Sequence, residues 1–77
     1  MIEYTTKTKN GTVLRRSIRV DEIRAVFEND DHTASLRVSE IRKNGDFSYV
    51  DTLEGYDQIM LRIENEERKY AEKIFEL

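Results

Sequence analysis

Apolar and β-branched residues alternate with polar ones along residues 2–20 of the chain. Two such runs, residues 2–8 and 12–20, flank the turn dipeptide Asn10-Gly11, a pattern typical of a β-hairpin. The apolar side of both runs falls on even-numbered positions. Matching these sides requires a loop with an odd number of residues, so we predict a three-residue loop with Gly11 in the left-handed conformation. The positions that meet are Ile2, Tyr4, Thr6, Thr8, Leu14, Ile18 and Val20.

The middle of the chain predicts further strands. Apolar residues between positions 21 and 28 fit either a helical stripe or an alternating strand, and we favour a strand entered through a turn at Asp21-Glu22. The polar residues 29–32 are typical of a turn. Residues 34, 36 and 38 are apolar while 35, 37 and 39 are polar, which predicts a strand with one buried face. Asn44-Gly45 marks the next turn, and residues 47–50 form a last short strand.

The C-terminal part predicts one long helix, because apolar residues recur there at alternating intervals of three and four. Asp51 or Thr52 can cap this helix, and Asp51 with Glu54 has the spacing of a capping box. Residues 53–77 as a helix would span about 37 Å, whereas a strand of this sheet spans about 20–27 Å. Residues 64–77 are therefore expected to project, to bend near Asn65, or to pack against another surface. The stripe comprises Leu53, Tyr56, Met60, Ile63, Tyr70, Ile74 and Leu77, with Glu67 interrupting it.

These elements predict a single α+β domain over residues 1–77. We expect a four- to five-stranded antiparallel sheet, beginning with the N-terminal hairpin, with the long C-terminal helix packed across one face. This order of elements resembles a trimmed pleckstrin-homology-like barrel and is similar to that of small flagellar regulatory proteins. The resemblance rests on the order of the elements, so it assigns no role to any residue.

Composition narrows the class of protein. Hydrophobic residues make up 38% of the 77 residues and charged residues another 38%, so the core is lean for one small domain. The chain has no cysteine, which excludes disulfides, thiolate catalysis and cysteine-ligated metals and favours a cytoplasmic location. We find neither a signal-peptide pattern at the N-terminus nor an apolar run long enough to span a membrane.

Candidate catalytic chemistry is sparse. One histidine and three isolated glycines offer no nucleophile–base pattern and no phosphate-binding loop, so we predict that the protein is not an enzyme and uses no cofactor. The run Glu28, Asp30, Asp31 and His32 contains groups that bind divalent cations, but it lacks the spacing of a known metal loop. A solvated turn is the better interpretation, and no metal ligand is predicted.

The outer face of the predicted hairpin is basic. Residues 1–27 carry six basic and three acidic side chains, although the whole chain has a net charge of −3. Lys7, Lys9, Arg15 and Arg19 are therefore candidate contacts for a partner or a nucleic acid. The alternative is a charged face that simply protects a strand edge. Arg16 falls on the apolar side, either as a rim residue that extends to water or as one partner of an ion pair with the helix.

The end of the helix supplies a second candidate surface. Tyr70, Ile74, Phe75 and Leu77 extend beyond the expected sheet and are candidates for an oligomer interface, most simply that of a homodimer. We therefore predict a non-enzymatic interaction or regulatory module that binds the surface of a partner protein. Its composition resembles that of phage or mobile-element proteins that act as inhibitors or adaptors. The alternative function is a nucleic-acid-binding module that uses the basic hairpin face.

Overall fold

The computed structural model describes residues 1–75 and, within the helix, side chains as far as Lys69. Five strands, a short 3₁₀ turn and one helix follow one another along residues 1–75. They are β1 (Ile2–Lys7), β2 (Val13–Ile18), the turn Val20–Glu22, β3 (Ile23–Glu28), β4 (Thr33–Ile41), β5 (Phe47–Gly55) and α1 (Tyr56–Phe75). The α+β class is confirmed, and so is a strand rather than a helix after the turn at Asp21-Glu22.

The N-terminal hairpin has the predicted register. Ile2 lies opposite Ile18 and Tyr4 opposite Arg16, so even-numbered positions pair with even-numbered positions. The loop has three residues, and Gly11 adopts a φ of 85°, a value at which a side chain on Cα would be strained. Matching the apolar sides was therefore sufficient to select the loop length.

All three hairpin turns share one hydrogen-bonding pattern. In each turn the first residue donates its N–H to the carbonyl of the fifth and accepts the N–H of the fourth, at 2.8–3.0 Å. The fourth residue has a positive φ in every case: Gly11 at 85°, His32 at 69° and Gly45 at 85°. A type I turn followed by one left-handed residue produces this geometry. His32 therefore occupies a position where glycine is the ordinary choice.

The core lies between α1 and the inner faces of the strands. Ala34 and Leu36 of β4 and Ile59 of α1 are completely buried, and Ile2 and Tyr4 of β1 close the cluster. The prediction that residues 34, 36 and 38 form a buried face is confirmed. Both hairpin and helix therefore share one small core.

The expected single sheet is not confirmed, because the strands form two antiparallel sheets. One contains β1 and β2, and the other has the order β3-β4-β5. At their junction the Glu54 carboxylate accepts the backbone N–H of Thr5 at 3.0 Å, and Nη1 of Arg62 donates to the carbonyl of Glu3 at 2.6 Å. Side chains thus satisfy backbone groups on the outer edge of β1 that a neighbouring strand would otherwise bind.

The predicted start of the helix is wrong. Strand β5 continues through Gly55, so Asp51 and Glu54 lie in the strand and form no capping box. Thr52 is buried in this strand, and its hydroxyl donates to the carbonyl of Ala34 at 2.8 Å. The helix begins at Tyr56, whose N–H donates to the carbonyl of His32 at 2.8 Å. A backbone carbonyl from a distant turn replaces the capping side chain that the sequence pattern predicted.

The buried side of the helix also differs from the predicted stripe. Ile59, outside that stripe, has no exposed surface, whereas Met60, inside it, is 39% exposed. Leu53 belongs to β5 and is largely exposed. Ile59 belongs to the core and Ile63 packs against it, so the buried side of the helix passes through Ile59 instead of Met60. The projection or bending of residues 64–77 stays a prediction.

Candidate protein-binding site

The outer face of the three-stranded sheet, opposite the helix, carries three exposed aromatic rings. Phe27 of β3 and Phe47 and Tyr49 of β5 have between 45% and 56% of their surface exposed. Their strand neighbours Val26 and Val50 pack against the core, so alternation along the strands directs the rings outward. We call this set, together with Arg37 of β4, the aromatic face.

Two of the rings meet across the central strand. The ring centroids of Phe27 and Tyr49 are 6.1 Å apart with the planes inclined at 49°, within the range of favourable aromatic pairs. Phe27 pairs with Ser35 in the sheet, and Tyr49 pairs with Arg37. The small Ser35 side chain on β4 leaves room for rings from both flanking strands. The pair is therefore held in place on a rigid sheet.

Arg37 extends the same surface toward Phe47. Its guanidinium carbon lies 4.5 Å from the centroid of the Phe47 ring, which is a cation–π contact. The Nε–H of Arg37 is buried and has no acceptor among the described residues. An unsatisfied buried donor is costly. The aromatic face therefore contains one positive charge beside Phe47.

Carboxylates border the other end of the aromatic face. Asp51 follows Tyr49 along the outer face of β5 and accepts the Ser35 hydroxyl at 2.6 Å. An open cleft of about 740 Å³ begins here, and Asp30 and Leu53 line it together with Asp51. The surface is thus cationic near Phe47 and anionic beyond Tyr49.

The structure spreads the predicted basic residues along the hairpin instead of gathering them. Lys9 lies in the hairpin loop, whereas Arg19 follows the opposite end of β2. A six-residue strand separates such ends by about 20 Å. Lys7 lies near the loop and lines the same cleft as Asp30 and Asp51. All four candidates are exposed, but they do not form one compact cationic site.

Two of these residues already contact acids. Arg19 donates to Asp21 at 2.6 Å, and Nη2 of Arg15 is 3.5 Å from the Glu3 carboxylate. These exposed pairs contribute little to stability, yet they lower the local positive charge. Arg16 is exposed opposite Tyr4, as expected for a rim residue.

The acidic turn that includes Asp31 is organised by its own hydrogen bonds. Bonds from the hydroxyl and then the backbone N–H of Thr33 hold the pKa of Asp31 below its ordinary value of 3.8. Among the residues that the structure describes, no three His, Asp or Glu side chains come together as a set of metal ligands. The turn therefore serves as a local hydrogen-bonded structure.

The candidate oligomer interface cannot be placed in the same way. Tyr70, Ile74, Phe75 and Leu77 lie outside the residues whose side chains are described. Within residues 1–75, no helix is both long enough and apolar enough to cross a membrane.

Sequence reasoning missed the aromatic face although a signal for it was present. Positions 47, 49 and 53 are apolar and alternate with Ser48, Val50 and Thr52. Alternation alone would assign the more apolar set, with Phe47, Tyr49 and Leu53, to the core. In the structure Val50 and Thr52 are on the inner side instead. The sequence pattern therefore shows that β5 has two faces but does not show which of them is covered.

We compared the chain with protein-family models, with curated proteins and with solved structures, and nothing matched in any of the three comparisons.

Proposed function

We propose that this protein is a small non-enzymatic binding module that recognises the surface of a partner protein through its aromatic face. The observation that carries the proposal is the half-exposure of Phe27, Phe47 and Tyr49 on one rigid sheet. Contiguous exposed apolar surface of this kind marks interaction sites. Aromatic residues and arginine are also the side chains most enriched at the energetic centres of interfaces.

The charges around the aromatic face define the chemistry of the partner. The guanidinium of Arg37 beside Phe47 fits a carboxylate of the partner. Asp51 and Asp30 at the other end fit basic side chains and oppose a phosphate backbone. An apolar protein patch with an acidic group at one end and a basic group at the other satisfies all of these groups. This layout favours a protein over a nucleic acid.

The test compares two variants at equally exposed apolar positions. The double variant Phe27→Ser, Tyr49→Ser removes the ring pair, whereas Leu61→Ser changes a helix residue that is 56% exposed. A partner isolated from the native host with the unchanged protein, and then purified, should bind the double variant at least about tenfold more weakly, a difference of about 1.4 kcal/mol. Its affinity for Leu61→Ser should be unchanged. The reverse order of affinities would refute the proposal.

A nucleic-acid-binding module remains the second candidate, because Lys7, Lys9, Arg15 and Arg19 are exposed. Binding to single-stranded DNA or RNA should then weaken steeply with salt and be lost in the variant Arg15→Glu, Arg19→Glu. Absence of binding at low salt would remove this candidate.

A cytoplasmic homodimer is the assembly that we propose, formed by the apolar residues of the helix end. Such a contact would supplement a core that is small for a stable monomer. Light scattering should give twice the monomer mass, and Tyr70→Ser, Ile74→Ser should reduce it to the monomer mass. A monomer at high protein concentration would contradict the dimer.

In our proposal this module regulates its partner as an inhibitor or adaptor, of the kind known from phages and mobile elements, by covering the surface it binds.

A further inference from the structure

Strand β2 lies at the edge of its sheet, and the pairing with β1 shows which of its backbone N–H and C=O groups point away from β1. The closing pair of the hairpin, Thr8 and Thr12, is hydrogen-bonded, and hydrogen-bonded and non-hydrogen-bonded pairs alternate along an antiparallel ladder. Thr5 and Arg15 therefore form a non-hydrogen-bonded pair. The Thr5 N–H confirms this assignment, because it points away from β2 and donates to Glu54.

The same alternation identifies three residues on the open side of β2. Val13, Arg15 and Ser17 direct their N–H and C=O groups away from β1, whereas Leu14 and Arg16 direct theirs toward it. Within residues 1–75, β1 is the one strand paired with β2. Val13 is 55% exposed, and the Arg15 side chain is 81% exposed. The open side can therefore accept a further strand.

The outer edges of β1 and β3 are less suited to this. The outer edge of β1 is occupied by the Glu54 and Arg62 side chains. Strand β3 contains a register shift between Ile23 and Ala25, and such a bulge disrupts pairing along an edge. The regular edge of β2 therefore offers the better ladder.

The charges of β2 select the occupant. Arg15 and Arg16 lie within the strand and Arg19 follows it, all of them exposed. Glu3 and Asp21 offset part of this charge through exposed pairs with Arg15 and Arg19, whereas Arg16 makes no ion pair among the described residues. A second copy paired antiparallel along this edge would bring the arginines of the two strands together, and like charges across a strand pair are destabilising. An extended segment rich in carboxylates would meet opposite charge along the same ladder. We propose that β2 binds an acidic, extended peptide segment of a partner by strand addition.

This inference is independent of the aromatic face, which lies on the other sheet. Its test uses a capped octapeptide of alternating Glu and Thr as the probe and measures amide hydrogen exchange by NMR. Binding should slow exchange by at least about tenfold at Val13, Arg15 and Ser17. Exchange at Leu14 and Arg16 should change little, because their N–H groups already bind β1. Absence of protection at the three outward amides at millimolar peptide would overturn the proposal.

Matched probes and variants separate strand addition from simple charge attraction. The same peptide with N-methyl groups on alternate residues keeps its charge but loses the ladder, and it should bind at least about tenfold more weakly, since each lost hydrogen bond is worth about 1 kcal/mol. An octapeptide of alternating Lys and Thr should fail to bind. Equal binding of either control peptide would refute strand addition by an acidic segment.

Ser17→Pro removes an outward N–H without touching the bonds to β1 or changing any charge, so it should weaken binding while the circular dichroism spectrum stays unchanged. The variant Phe27→Ser, Tyr49→Ser should bind the acidic peptide as the unchanged protein does. Loss of peptide binding in that double variant would assign the peptide to the aromatic face and refute the β2 site.

Discussion

The Glu54 carboxylate binds Thr5 twice, accepting its backbone N–H at 3.0 Å and its hydroxyl at 2.9 Å. Nη1 of Arg62 lies 3.6 Å from the same carboxylate, whose side chain is 9% exposed. This arrangement joins the hairpin to the three-stranded sheet where no backbone ladder connects them. One side chain of β5 thereby takes the place of a strand-to-strand hydrogen bond.

Replacing Glu54 should therefore destabilise the protein. Glu54→Ala leaves the Thr5 N–H without its acceptor and Arg62 without its counter-charge, and we expect a loss of about 1–3 kcal/mol in the free energy of unfolding. Glu64→Ala is the matched control, because Glu64 pairs with Arg68 on the exposed helix surface and should cost less than about 0.5 kcal/mol. Urea denaturation measures both. Equal effects would show that the junction adds nothing beyond a surface ion pair.

The orientation of the helix can be tested by comparing a buried helix residue, Ile59, with an exposed one, Leu61. Ile59→Ala removes a completely buried side chain and should lower the free energy of unfolding by about 2–5 kcal/mol. Leu61→Ala should cost less than about 1 kcal/mol, because its side chain is mostly exposed. Thermal and urea unfolding measure the difference. A larger loss for Leu61→Ala would mean that the helix packs on a different side.

The turn at His32 stores backbone strain that glycine would relieve. We expect His32→Gly to raise the free energy of unfolding by up to about 1 kcal/mol, because a φ of 69° costs glycine little. Gly45→Ala is the converse test: no atom of the described residues lies within 4 Å of the added Cβ, so its expected loss of about 1 kcal/mol reports backbone conformation alone. A less stable His32→Gly variant would indicate that the imidazole contributes more than the strain costs.

The acidic turn predicts a specific dependence on pH. The pKa of Asp31 is lowered in the folded chain, first by the Thr33 hydroxyl. Its contribution to stability is therefore present above the ordinary value of 3.8 and is lost as the pH falls through the folded-state pKa. Thr33→Val should raise the pKa of Asp31 toward that ordinary value in an NMR titration. Thr12→Val, at the equivalent position of the first turn, should leave it unchanged; an equal rise in both variants would exclude the hydroxyl as the cause.

Local sequence patterns predicted the strands correctly, because strand and turn formation depends largely on residues that are close together in the sequence. The spacing of Tyr4 and Leu14 around Gly11 was enough to give the hairpin register, and Leu36 and Val38 gave the buried face of β4. The start of the helix was wrong for a similar reason. Asp51 and Glu54 match a local capping pattern, whereas the contacts that extend β5 involve Ala34 and other residues far away in the sequence.

The candidate site required the arrangement of strands as well as their pattern. Phe27 and Tyr49 are separated by 22 positions in the sequence but meet across β4. Charge counting drew attention to Arg15 and Arg19 and gave no information about their acidic neighbours Glu3 and Asp21. Which exposed residues lie together depends on how strands that are distant in the sequence pair with one another. A local sequence pattern does not contain this information.

The junction between Thr5 and Glu54 connects two parts of the chain that can each form from local contacts. The hairpin and the three-stranded sheet each consist of strands that follow one another in sequence, whereas the junction joins positions 49 residues apart. Contacts between neighbours in sequence form quickly, and those between distant positions form late. The hairpin is thus the part that can detach as a cooperative unit while β3, β4 and β5 stay paired. Its detachment would uncover Ile2 and Tyr4, so the junction and the burial of these two side chains together limit how often the core is exposed to water.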